Sequence, residues 1–386
     1  MPHKIRFVNP QKQYADHRDE LLKAADDVWS RGAIVNQKDL KDFEKHFAEF
    51  VGTKYAVGVN SGTSALDVAL EAAGIGAGDE VITVAHTFMA SISCVYLAGA
   101  QPVLIDVGHD FNMDPKLIEK ALTPKTKAIE PVHLNGRLCD MEVIMDIAKR
   151  KGLIVIEDSA QAVGASMKMS DGSVKRGGSF GLVGCFSLYW AKALGGLGNN
   201  GMAVTDDPAI AKKMQLMRYN GENRETREFS YHAHNLLMDN VHAALLDIKL
   251  KYLPAWLSRR KELAARYQNG FAEVKEVRTP HFSDARFDDT YTNYVIRAER
   301  RDELKKYLDN KELVETMVSW ARPTYKEPVM ENRNNDPVPD WRFGNDAQGL
   351  PETEKICREV ISLPMYPELT NEEVDAVIEA IMGFYR

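Results

Sequence analysis

Lys192 stands in Ser187-Leu188-Tyr189-Trp190-Ala191-Lys192-Ala193-Leu194-Gly195-Gly196, with few charges around it and small residues on its C-terminal side. An amine in an apolar setting has its charged form disfavoured, so it can act as a Schiff-base nucleophile. The plain alternative is a solvated lysine. Glu157-Asp158 closes the apolar run Leu153-Ile154-Val155-Ile156. A carboxylate there either faces the crevice at the carboxyl end of a sheet strand or caps a helix starting at Ala160, and spacing does not separate the two. Ser61-Gly62-Thr63-Ser64 lies between a strand pattern and a helix pattern. Free backbone N–H groups, the positive end of a helix and hydroxyl donors can hold a phosphate at such a turn. Ser and Thr are also ordinary helix caps, and taken alone the segment fits a cap slightly better. The order matters more than any one motif: a phosphate-type turn, a strand-end Asp and a sheltered Lys are the parts a pyridoxal-phosphate (PLP) enzyme needs.

Gly196-Leu197-Gly198-Asn199-Asn200-Gly201 spells G-x-G-x-x-G, but a dinucleotide site needs a strand before it and a helix after it. Met202-Ala203-Val204-Thr205 reads instead as a strand, which argues against a dinucleotide site.

The elements that must position these residues read as an α/β fold with a mainly parallel sheet. Strands are expected at Tyr55–Val59, Val81–Val84, Val103–Ile105, Ala128–Ile129, Leu153–Ile156 and Cys185–Leu188. A helix is expected over Ala65–Ala73, where Leu66, Ala69, Leu70 and Ala73 share one face before Gly74. Asp114-Pro115 reads as a helix cap followed by a first-turn proline. After residue 240 the texture changes to a long helical stretch from Val241 past Pro254 towards Tyr267, then a strand at Tyr294–Ile296 and a closing helix from Asn371. We therefore expect a large domain over 1–250, which includes an N-terminal helical segment, and a smaller α+β domain over 251–386. Residues 331–343 lack periodicity and read as a long loop.

With 386 residues, 49 Lys+Arg against 56 Asp+Glu and a formal charge of −7, the chain has ordinary globular composition. At about 100–200 residues per domain it should form two or three. The acidic balance and the absence of a long Lys/Arg run argue against nucleic acid as partner. No stretch approaches the ~18 uninterrupted apolar residues of a membrane span, and Met1 to Phe7 show no secretory signal, so a cytoplasmic location is expected. Cys94, Cys139, Cys185 and Cys357 are spread widely and form no C-x-x-C pair, which suggests reduced core residues; no metal site is expected.

With those residues in hand, the chain resembles the DegT/StrS family of sugar aminotransferases, PLP enzymes of the aspartate-aminotransferase fold, from about residue 5 to 386. The segments that carry the resemblance are V-N-S-G-T-S-A-L at 59–66, A-G-D-E-V-I-T at 77–83, H-T-F-M-A-S at 86–91, P-V-H-L-N-G at 131–136, I-E-D-S-A-Q-A at 156–162 and the lysine segment 187–205. The resemblance implies that Lys192 holds PLP as a Schiff base, while Asp158 bonds the pyridine nitrogen, Gln161 contacts the phenolic oxygen and Phe88 stacks on the ring. It further implies that Gly62, Thr63, Ser64 and Ser187 grip the phosphate. Asn235 matches a family asparagine that reaches the neighbouring subunit's phosphate, which implies a homodimer with shared sites. The implied reaction moves an amino group, with L-glutamate the expected donor, onto a keto sugar carried on a nucleotide, in two half-reactions through a pyridoxamine form. A keto sugar or cyclitol without nucleotide, a sugar dehydratase of the same family with His in place of the lysine, and a PLP-binding regulator are the alternatives.

Three departures from the family pattern fall outside the core PLP set. Leu237 stands where an Arg is usual, Gly198-Asn199-Asn200-Gly201 where Gly-acidic-Gly-Gly is usual, and Ser319-Trp320-Ala321 where His-Tyr-Pro is usual. Trp320, Arg322 and Tyr325 supply aromatic surface and a cation there, and we expect them to touch the substrate, Arg322 at an anionic part of it; the alternative is that Trp320 packs in the small domain and Arg322 is a solvated surface charge.

Overall fold

The computed structural model describes residues 3–331, 341–344 and 349–386. Its largest sheet takes strands from most of the chain: β1 (Tyr55–Val59), β2 (Glu80–Val84), β3 (Gln101–Ile105), β4 (Thr126–Ile129), β5 (Ile154–Asp158), β6 (Val183–Ser187) and β7 (Gly201–Thr205). A smaller antiparallel sheet joins β8 (Val277–Arg278), β9 (Tyr294–Ala298) and β11 (Val360–Leu363), and β10 (Arg342–Phe343) pairs with β3 at the edge of the large sheet. The order in the large sheet is β1-β7-β6-β5-β4-β2-β3-β10. Pairings from β6 across to β10 are parallel, while β7 runs antiparallel to both β1 and β6. The α/β class expected from the apolar runs is therefore the observed one, and all six expected strands lie in this sheet. β7 directly follows the glycine-rich segment, where a dinucleotide site would need a helix.

Helices α1 (Pro10–Ser30) and α2 (Lys38–Val51) precede the sheet, α3 (Gly62–Ala72) follows β1, and α4 (Ala90–Leu97) follows β2. α3 buries Ala65, Leu66, Ala69 and Leu70 against Ala128, Ile156, Val183 and Cys185 of the sheet. α5 (Met141–Lys151) covers the other face through Ile144 and Ile147. All four cysteines are buried and free.

The long helix α6 (Asn240–Gly270) links the two sheets, with Pro254 inside it. Its first half packs Leu246, Leu250 and Leu253 against Leu40, Phe43 and Phe47 of α2. Its second half packs Leu263, Ala264 and Tyr267 against Tyr294, Ile296, Ile361 and Leu363 of the small sheet, together with Val374, Val377 and Ile381 of the closing helix α7 (Asn371–Tyr385). The proposed division at residue 250 thus falls within one continuous helix. The N-terminal segment also crosses it, since Lys4 N–H donates to the Leu313 carbonyl at 2.8 Å and Ile5 packs in the second core. α7 starts at Thr370, where a reciprocal cap with Glu373 satisfies two N–H groups.

The loop expected over 331–343 needs correcting at its end. Residues 332–340 lie outside the described residues, but Arg342-Phe343 form β10, anchored by Arg342 on the buried carboxylate of Glu80 at 2.7 and 3.1 Å. A two-residue strand carries no periodicity to read.

Candidate active site

A cavity of about 590 Å³ opens at the carboxyl ends of β1, β5 and β6. Gly62, Thr63, Phe88, Asp158, Gln161, Ser187, Lys192 and Trp320, all singled out in the sequence, line it.

At the end of β5 successive side chains leave opposite faces of the sheet, and this separates the two acids. Glu157 turns into the protein and accepts N–H bonds from Gly178, Phe180 and Gly181 at 2.8, 2.7 and 2.7 Å, with His133 Nε2 at 3.0 Å. It holds a loop. Asp158 faces the cavity, where it accepts from Ser91 Oγ at 2.8 Å and from Ala160 N–H at 3.1 Å. The capping bond expected at Ala160 is present, yet turns rather than a helix follow it. Burial pushes the Asp158 carboxyl up, opposed by Ser91, the Ala160 N–H and the charge of Lys192.

Lys192 sits in a tight return after β6, in which Lys192 N–H donates to Tyr189 and Gly196 N–H to Leu188. A Cβ on Gly195 would lie 2.3 Å from the Trp190 carbonyl, so glycine is required for this close approach. Burial lowers the Lys192 ammonium below its ordinary value, with Asp158 pulling the other way. Lys192 is half-buried rather than fully solvated.

At the opposite end, Ser61 caps α3 by accepting Ser64 N–H at 3.0 Å. A Cβ on Gly62 would meet the Ser187 Cβ at 2.7 Å, so glycine lets the start of α3 lie against the Ser187 side chain. The cap reading and the anion reading thus share one turn: Ser61 supplies the cap, while Gly62 and Thr63 face the cavity. Ser64 lies apart from that lining. It is buried, its hydroxyl donates to Asn60 Oδ1 at 2.6 Å, and it does not line the cavity.

Gln161 Oε1 accepts the Asn135 N–H at 2.8 Å, which leaves its Nε2 as the free donor. Phe88 lines the cavity at 64% exposure, an unusually bare face for a large ring. Asn235 is exposed and lies outside the cavity of its own chain.

Of the three residues expected at the substrate, Trp320 lines the cavity, with a positive φ of 54° and its ring edge-on to His86 at 5.6 Å. Arg322 and Tyr325 do not. Thr324 is tied to the Ala85 carbonyl through N–H and hydroxyl at 3.0 and 3.1 Å, which turns the following residue inward. Tyr325 is buried beside Trp341 and Phe343, and its hydroxyl donates to Glu354 at 2.7 Å. Arg322 is exposed, 3.6 Å from Glu327.

The sequence reading assigned no role to Ser91, Asn135 or Asn293, and it marked Asn200 only as part of the polar loop that departs from the family pattern. Ser91 stands three residues after Phe88, one helical turn on, and that spacing was the available signal. Asn200 and Asn293 line the cavity from distant parts of the chain; the first lay in a loop already marked as a departure from the family pattern, while Asn293 left no local signal.

A half-buried lysine and a buried aspartate facing one cavity at the end of a parallel sheet, with a helix start opposite, define a group-transfer enzyme of the lysine Schiff-base class. The chain belongs to the DegT/DnrJ/EryC1/StrS aminotransferase family, whose model matches residues 15–382. It is 37% identical to the "Pleiotropic regulatory protein" of Geobacillus stearothermophilus, covering 99% of each chain. It is 35% identical to the dTDP-3-amino-3,4,6-trideoxy-alpha-D-glucose transaminase of Streptomyces venezuelae, over 98% of this chain and 95% of the relative. Among solved structures it superposes on S. venezuelae DesV, solved in complex with a ketimine intermediate, at a TM-score of 0.91 with 35% identity, covering 100% of this chain and 99% of DesV.

Proposed function

We propose that this chain is a PLP-dependent aminotransferase that moves an amino group, with L-glutamate as donor, onto a nucleotide-linked keto sugar in amino-sugar biosynthesis. The observation that carries the reading is the shared cavity of Lys192, Asp158 and the Gly62-Thr63 start of α3. Its parts fit the cofactor: Thr63, Ser187 and the N–H end of α3 suit the phosphate, Phe88 offers a ring face, Gln161 Nε2 is free to donate to the phenolic oxygen, and Asp158 can accept from the ring nitrogen. When bound, PLP supplies an electron sink and an amino-group carrier.

The protein's own groups do the rest. Lys192, whose ammonium burial holds below its ordinary value, would hold the cofactor through its amine and carry the proton at the substrate carbon. Asp158 keeps the proton on the ring nitrogen, and Ser91 and the Ala160 N–H orient its carboxylate. Trp320 offers an aromatic wall to the sugar. The nucleotide-linked acceptor follows the name of the S. venezuelae relative. Among the described residues no helix is long and apolar enough to cross a membrane, which is compatible with action in the cytoplasm.

The test supplies the enzyme, loaded with pyridoxamine phosphate, with a dTDP- or UDP-linked keto sugar, the free keto sugar, or 2-oxoglutarate. Mass spectrometry should show amination of a nucleotide-linked sugar and of 2-oxoglutarate, the latter giving glutamate. Amination of the free sugar with no turnover of the linked one would overturn the acceptor class; failure of 2-oxoglutarate would overturn the donor.

A further inference from the structure

α6 passes behind the return that carries Lys192, and Leu246 and Leu250 of the helix pack in one core with Ala193 and Leu194. Lys249 lies between those two leucines in the chain, is almost fully buried, and donates from Nζ to the Gly195 carbonyl at 2.5 Å. Gly195 is the residue whose close approach to Trp190 closes the return. Beyond this bond the return is not packed solid: a separate cavity of about 380 Å³ is lined by Trp190, Gly196, Leu197 and Lys249, with Tyr14 and Leu21 of α1 also on its wall. Apolar side chains beside open space lose contacts on that side, whereas a hydrogen bond to a carbonyl sets the direction of the backbone. Among the described residues no other group bonds Lys249. Burial lowers its ammonium to about 8, and the charge of Glu368 opposes that shift without forming an ion pair. A buried ammonium without an ion-pair partner costs stability, so its place in the fold points to what it holds.

We propose that Lys249 is a positioning residue for Lys192, its ammonium holding the Gly195 carbonyl and thereby the return that presents the Lys192 amine to the cavity. The inference rests on the Schiff-base reading of Lys192 above and deepens it. A bond from a charged donor contributes about tenfold or more to an equilibrium, so losing it should reduce the share of chains with Lys192 correctly placed by about that factor.

The experiment compares PLP with pyridoxine phosphate, which has no aldehyde and cannot bond covalently to Lys192, as ligands of the apoprotein in calorimetric titrations, with thermal melting alongside. Lys249→Met, close in shape but without the donor, should weaken PLP about tenfold, leave pyridoxine phosphate unchanged and melt at or above the wild-type temperature. Lys249→Arg keeps a charged donor and should recover most of the PLP affinity. Equal weakening of both ligands, or a melting temperature well below wild type, would show a structural role and overturn the proposal; unchanged PLP affinity in Lys249→Met would overturn it outright. If the wild-type protein binds PLP no tighter than pyridoxine phosphate, Lys192 forms no Schiff base and the reading beneath the proposal falls; if that difference is present in wild type and kept in Lys249→Met, only the proposal falls.

Discussion

Lys192 and Asp158 act on each other's protons, and most of the site's chemistry follows from that pairing. Burial lowers the Lys192 ammonium, and Asp158 raises it by charge attraction. Uptake of PLP by the apoprotein should accelerate as pH rises, with its midpoint below the ~10.4 of a free lysine. Asp158→Asn, which removes the raising charge, should move the midpoint lower still; a midpoint that moves up would contradict the assigned interaction. The same variant should keep PLP bound yet lose most turnover, about 100-fold or more, because nothing then holds the ring-nitrogen proton. Arg322 and Tyr325 were legible as residue types but not as positions. With Arg322 exposed and Tyr325 turned into an aromatic cluster, Arg322→Ala should leave the acceptor KM unchanged, and Tyr325→Phe should cost about 1 kcal/mol of stability with normal kinetics. A raised acceptor KM in Arg322→Ala would restore its substrate role. Lys192 and Asp158 could be read from sequence because each is a local exception, a lysine among small apolar residues and an acid ending an apolar strand.

The strands of the large sheet were readable because parallel strands buried on both faces appear as short apolar runs between helices. β10 was not, because its pairing with β3 comes from tertiary contact rather than from pattern, and a turn of four small polar residues at 61–64 does not say which hydroxyl faces the cavity. One element stores a cost that the sequence did not reveal. Glu130, just past β4, is fully buried with no partner for either oxygen, and burial, then the Asp158 charge, pushes its carboxyl well above the usual range. A carboxyl raised in the folded state stabilises fully below its unfolded value, and that contribution is lost as pH rises through the folded one. Glu130→Gln cannot titrate, so the apoprotein variant should gain in Tm relative to wild type between about pH 5 and about pH 8. A Tm difference independent of pH would show that Glu130 is already ionised in the fold.

Across the whole molecule, the cavity draws Lys192 and Asp158 from the large sheet's side, and Met317, Ser319 and Trp320 from the segment before the small sheet's last strand. No sequence pattern announces such convergence. We propose that a second copy completes it. Asn235 is exposed and outside its own cavity, and Trp29, Phe88 and Phe229 expose 61%, 64% and 69% of their surface. If Asn235 serves the partner's site, mixing Lys192→Ala chains with Asn235→Ala chains should restore about a quarter of the wild-type sites, since half of randomly formed dimers are mixed and each holds one intact site. No recovery, despite demonstrated subunit exchange, would rule out the shared site. The account as a whole depends on one amine. Borohydride reduction of the PLP-loaded protein followed by peptide mapping should place the pyridoxyl label on Lys192, and a label on Lys249, Lys213 or any other lysine with Lys192 unmodified would contradict it.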